Sequence, residues 1–160
     1  MNISNVHSMN KKAIFNKNFP CTSVSSVEKN KYLTLKEYIM LLYKSLTQEI
    51  IDAAYTVHRV MGHGFLEKVY ENALSCELDL RNIPHKVQEP IKVTYKGDEV
   101  GSYMADIIVE NKVVLELKAC EELSGAHIAQ TLNYLKATNI KVGLLINFGA
   151  SKIEVKRLIK

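Results

Sequence analysis

Asp106, Glu116 and Lys118 are the residues of this chain whose types and spacing could do chemistry together. They sit in two β-branched runs, Met104 to Glu110 and Val113 to Ala119, that read as strands. Side chains alternate along a strand, so Glu116 and Lys118 share a face. Where Asp106 falls depends on the turn. A three-residue loop at Glu110-Asn111-Lys112 pairs Val109 with Val113 and sets Asp106 opposite Glu116, whereas a two-residue loop at Asn111-Lys112 sends Asp106 to the other face. Directly opposed carboxylates have Cβ atoms roughly 5 Å apart and repel unless a positive charge lies between them. A divalent cation is such a charge.

The plain alternative is a solvated face with a cross-strand Glu/Lys pair, because a lone E-x-K in a strand is a weak signal. The flanking residues weigh against it. Ile107, Val109, Val113, Leu115 and Leu117 supply one apolar face, and Met104, Ile108 and Val114 add apolar groups to the charged one, which puts the charges in a cleft. Carboxylates in a cleft pair or bind metal, since an unpaired buried charge is costly.

The elements that must position these residues follow from periodicity. Ser45-x-x-Gln48 predicts a capping box, and Ile50, Ile51, Ala54, Val57 and Val60 or Met61 recur at helical spacing until Gly62. A second helix is predicted from Phe65 to Leu80, with Asn82 as a left-handed cap and Pro84 blocking continuation. Lys86 to Glu89 and Ile91 to Tyr95 are strand material interrupted by Pro90, and the central hairpin runs from Val100 through Ala119. Ala126 to Thr138 is helical, Val142 to Phe148 is a strand covered on both faces, and Ile153 to Ile159 supplies an edge strand. The order ααβββαββ, with one strand more if Pro90 divides the first, predicts an α/β (α+β) domain with helices on a mixed sheet.

The length fits one domain with a core of its own. Residues 1–39 read as a disordered or weakly ordered extension and 40–160 as the single domain. The net charge of +4 arises before Met40, where six basic residues face two acidic ones; beyond it the signs balance. Overall charge therefore says little about partners, and a nucleic-acid contact would need a local patch such as Lys152, Lys156, Arg157 and Lys160. Cys21, Cys76 and Cys120 are too few and scattered for a disulfide framework or zinc site, so the expected compartment is cytoplasmic. No run is long and apolar enough for a membrane span, and no signal peptide is evident.

Other candidates have ordinary explanations beside the functional ones. Glu67 falls near the start of its helix, where a carboxylate suits free amides and the helix dipole, and Tyr70 passes as core. Gln130 and Tyr134 lie four apart on a helix, so they share a face that either looks onto the carboxylates or is half surface, half core. The five histidines show no metal spacing, and no nucleophile elbow, phosphate loop or dinucleotide fingerprint is present.

Asp106, then Glu116-Leu117-Lys118 across a hairpin, then Gln130-x-x-x-Tyr134 on the next helix, resembles the PD-(D/E)xK nuclease superfamily. Gly64-x-x-Glu67-x-x-Tyr70 resembles, more narrowly, the small GxxExxY proteins assigned to it. The resemblance covers about Leu42 to Ile159 and includes Leu144 to Gly149; Ala105 stands where the superfamily name has Pro. It implies a restriction-endonuclease-like core and a nuclease acting on DNA or RNA with Mg²⁺ or Mn²⁺. Asp106, Glu116 and the Leu117 carbonyl would be metal ligands, Glu67 would complete the acidic cluster, and Lys118 would act on the attacking water or the developing charge. Gln130, Tyr134 and Tyr70 would support the site or touch phosphate. A catalytically silent fold that binds nucleic acid or protein is the alternative. Oligomeric state is left open, a homodimer included.

Overall fold

Helix α1 runs from Lys44 to Met61 and buries Ile50, Ala53, Ala54 and Val57, the stripe that helical spacing selects. Gly62, at φ 72°, ends it. The capping box expected at Ser45 does not form: left-handed Tyr43 is the N-cap, without a side-chain cap, and Ser45 Oγ donates instead to Glu49. Helix α2 spans Glu67–Leu80, two residues shorter at its start than expected, because Leu66 is still extended. Asn82 adopts the anticipated left-handed conformation beyond its end.

In this computed structural model residues 37–38 and 41–160 are described, so the extension expected over 1–39 lies outside them save for Glu37 and Tyr38. The described residues fall in one unit, Thr34–Lys160. Five strands follow: β1 His85–Tyr95, β2 Asp98–Val109, β3 Val113–Lys118, then helix α3 Gly125–Thr138, β4 Val142–Asn147 and β5 Glu154–Ile159. They lie in sequence order in one sheet. The β3–β4 pair is parallel, with α3 as its crossover, and the other pairs are antiparallel. Pro90 does not divide β1, since β1 pairs only with β2 and an edge strand can spare an N–H. A capping box does occur, at Ser124 and His127 before α3. The imidazole takes the place that a Glu or Gln side chain fills in the sequence pattern.

Each face of the sheet has its own core. Ile107, Val109, Leu115 and Leu117 pack with α1 and α2, whereas Ile91, Ala105, Ile108 and Val114 pack with Tyr134 and Leu135 of α3. Ala105 and Ile107 are two apart yet belong to opposite clusters, so β2 turns over at Asp106. The residue opposite in register, Gln88, has φ 52°. Met104, expected to line the charged face, is exposed instead. All six residues of β4 are buried between β3 and β5, as its continuous apolar run indicated. Among the described residues no helix is long and apolar enough to cross a membrane.

The exit from β3 is clamped from behind. Asn147, fully buried, accepts from the Cys120 and Gly149 amides at 3.1 and 3.0 Å and donates to the Cys120 carbonyl at 2.8 Å. A Cβ on Gly149 would stand 2.3 Å from the Cys120 nitrogen. Backbone cannot yield as a flexible side chain does, so Gly149→Ala is expected to cost about 3 kcal/mol in urea melts. A loss below about 0.5 kcal/mol would mean the two segments separate freely.

Candidate functional site

The site lies where β2 and β3 part. Val109 pairs with Val113 across the three-residue loop, whose Glu110 and Asn111 have positive φ, and the ladder continues to Ile107 and Leu115. The ladder ends at that pair, one residue short of Asp106 and Glu116. Asp106 Oδ2 accepts from the Leu117 amide at 2.8 Å. In an extended strand the N–H and C=O of one residue point to the same side, so the Leu117 carbonyl opens toward the same gap.

Glu116 is 1% exposed. Its Oε1 accepts from Lys118 Nζ at 2.5 Å, while its Oε2 is buried without a hydrogen-bond partner. Burial pushes the Glu116 carboxyl up to about 7; the Lys118 hydrogen bond opposes this and the charges of Asp106 and Glu67 reinforce it. Asp106 is also raised, by burial first, against the Leu117 hydrogen bond and with the charges of Glu67 and Glu71. Burial alone would lower Lys118, but Glu116, Glu67 and Asp106 together outweigh it and raise the ammonium's pKa.

Glu67 is the first residue of α2, and its Oε1 stands 3.8 Å from Lys118 Nζ. Gly64, expected near the N-cap, lies two residues before it at φ 109°. Tyr70 is fully buried: its hydroxyl donates to the Gly62 carbonyl at 2.8 Å and accepts from the Phe65 amide at 3.3 Å. Its ring stacks on Phe148 at 4.8 Å. The hydroxyl is thereby engaged with the loop that presents Glu67. Gln130 Nε2 donates to Tyr134 Oη at 2.7 Å, so the two do share a face. Burial raises the pKa of the Tyr134 phenol against the Gln130 hydrogen bond, and Glu116 and Asp106 are close enough to add to the rise.

Two residues of this neighbourhood escape sequence reasoning. Glu71 is 3% exposed, bonded to Lys68 and to the Gln88 amide, and its charge reaches Asp106. Its place one turn after Glu67 is the signal that could have found it. Gln88 reaches Glu71 from the left-handed position opposite Asp106, which its strand-like surroundings hide. Conversely, the suggested basic patch is not a free one. Arg157 donates to Thr47 Oγ1 at 2.6 Å and to the Leu42 carbonyl, and Lys156 pairs with Glu154 at 3.2 Å. His58, His85 and His127 hold Ala150, Ser75 and Ser124 respectively, as scaffold.

Among the described residues no three His, Cys, Asp or Glu side chains are grouped to hold a metal ion. The donors that do fit a hard divalent cation are two carboxylates and a main-chain oxygen. An orphaned buried carboxylate oxygen on Glu116 beside a second desolvated carboxylate calls for a positive partner that the single Lys118 ammonium does not supply.

A family model described as the PD-(D/E)XK nuclease superfamily matches residues 44–158. No curated protein matches the chain. The solved crystal structure of SSO0001 is similar at 18% identity with a TM-score of 0.49, over 76% of this chain and 61% of that one. The present chain thus spans less than two thirds of that structure's length.

Proposed function

This chain belongs to the PD-(D/E)XK nuclease superfamily, and from that premise we propose that it is a Mg²⁺- or Mn²⁺-dependent nuclease hydrolysing phosphodiester bonds in DNA or RNA. Its five-stranded mixed sheet with flanking helices is consistent with the restriction-endonuclease-like fold. The observation that carries the proposal is the unpartnered, buried Glu116 Oε2 beside Asp106, with Lys118 in contact. Asp106, Glu116 and the Leu117 carbonyl would hold the ion. Bound there, Mg²⁺ or Mn²⁺ would supply Lewis acidity at the phosphodiester and a more acidic water.

The chain's own residues do the rest. Asp106 keeps the Leu117 amide fixed, which aims the neighbouring carbonyl at the gap. Lys118, whose pKa is raised, keeps its proton and works as a fixed positive charge toward the developing phosphorane, not as a base. Glu67 and Glu116 flank that ammonium and limit where it can move. Gln130 orients the Tyr134 hydroxyl beside the carboxylates.

The test is incubation of labelled DNA and RNA, single- and double-stranded, with Mg²⁺, Mn²⁺ or chelator. Cleavage is expected only with metal, and Asp106→Asn is expected to abolish it. Metal-independent cleavage, or an active Asp106→Asn protein, overturns the assignment. The other reading is a catalytically silent fold that binds nucleic acid. Binding without turnover under every metal condition would select it.

A further inference from the structure

Between the β1–β2 hairpin and α3 lies a cleft of about 450 Å³ lined by Lys92, Thr94, Tyr103, Asn133 and Lys136. Its contents are unlike those of the core beneath. Tyr103 is 47% exposed although aromatic, and two ammonium groups and an amide surround it. Lys92 pairs with Glu99 at 2.9 Å, but both are exposed, and such a pair is worth little and yields readily to a competing anion. The cleft adjoins the site through one contact: the Tyr103 ring lies 5.5 Å from the ring of Tyr134, whose phenol is within electrostatic reach of Glu116 and Asp106. The turnover of β2 at Asp106 produces this arrangement, since it swings Tyr103 and Ala105 to the α3 side.

We infer that this cleft holds unpaired nucleotides next to the scissile phosphate, a base stacking on Tyr103 and the flanking phosphates meeting Lys92 and Lys136, so that the substrate is single-stranded nucleic acid. This rests on the nuclease reading and narrows its substrate. The chemistry fits a strand better than a duplex. A half-exposed ring offers a face to an unstacked base, and a base inside a duplex already has its faces covered. A cleft of this volume is of small-ligand size, enough for a splayed nucleotide and too small to embrace paired strands.

Binding of a fluorescein-labelled oligothymidylate and of a blunt duplex of equal length, followed by anisotropy in chelator, tests this without cleavage. The single strand is expected to bind at least about tenfold more tightly, and Tyr103→Ala to lose about tenfold of that affinity, the scale of one stacked base. Tyr103→Phe keeps the stacking face and should restore binding. It also serves as the control for folding, alongside matched thermal melts. The double variant Lys92→Ala/Lys136→Ala should reduce the slope of log affinity against log salt by about 1 to 2. Equal affinity for duplex and single strand, or indifference to Tyr103→Ala, overturns the inference. Tyr103-dependent binding by a protein that cuts nothing with Mn²⁺ leaves it standing while the nuclease reading fails. Cutting that ignores Tyr103 does the reverse.

Discussion

Glu116→Gln is expected to lower Mn²⁺-dependent cleavage by about 10³-fold or more, the several kcal/mol that a metal-held transition state loses with a ligand. In chelator the same change should leave the protein as stable as wild type or more so. The ionised Glu116 is buried with one oxygen unpartnered and faces a second carboxylate, so the amide removes a repulsion while keeping the shape. The pH dependence fixes the sign. With its folded pKa near 7, above that of the unfolded chain, Glu116 binds its proton more tightly in the native state. Stability in chelator therefore falls as pH rises from about 4.5 through about 7, by about 3 kcal/mol in all, and then levels off. In Glu116→Gln most of that fall should vanish, Asp106 retaining a remainder of the same sign. Urea melts at pH 5 and pH 8 in EDTA measure it. A variant markedly less stable than wild type at pH 8 would show that Glu116 serves only as the partner of Lys118.

Lys118→Met should also cut turnover, by about 10²- to 10³-fold, through loss of a preorganised positive charge, but its stability signature is the mirror image. Removing the ammonium leaves Glu116 with neither oxygen paired, and breaking a buried pair from one side is costly. The carboxyl can escape that cost by protonating, so the variant should lose roughly 2 kcal/mol more relative to wild type at pH 8 than at pH 5. Mn²⁺ affinity, measured by titration calorimetry, should hold or rise, because a competing cation has gone. Full turnover in Lys118→Met, or Mn²⁺ binding that collapses with it, would be irreconcilable with Lys118 acting on the reacting phosphate alone.

The register of the central hairpin was legible because a strand's period of two turns loop length into a choice between faces, and Glu110 to Lys112 offered only two loops. The helix carrying Gln130 and Tyr134 was legible from its spacing. What escaped was the turnover of β2. Parity counting assumes an unbroken pleat, so it put Met104 on the charged face and gave no hint that Tyr103 and Ala105 turn toward α3. Gln88 hides for the same reason, since a left-handed residue within a strand leaves no mark on hydrophobic alternation. Helix starts failed where backbone conformation overrode side-chain pattern, at left-handed Tyr43 and at the extended residue Leu66.

Tyr70 joins two elements that are far apart in the chain. Its ring lies on Phe148, just beyond β4, and its hydroxyl grips both ends of the Gly62–Phe65 loop that delivers Glu67. For the backbone that carries Glu67 to shift away from the sheet, the stack and both hydrogen bonds would have to break together. The start of α2 and the end of β4, some eighty residues apart in the chain, are thereby tied to each other through a single side chain.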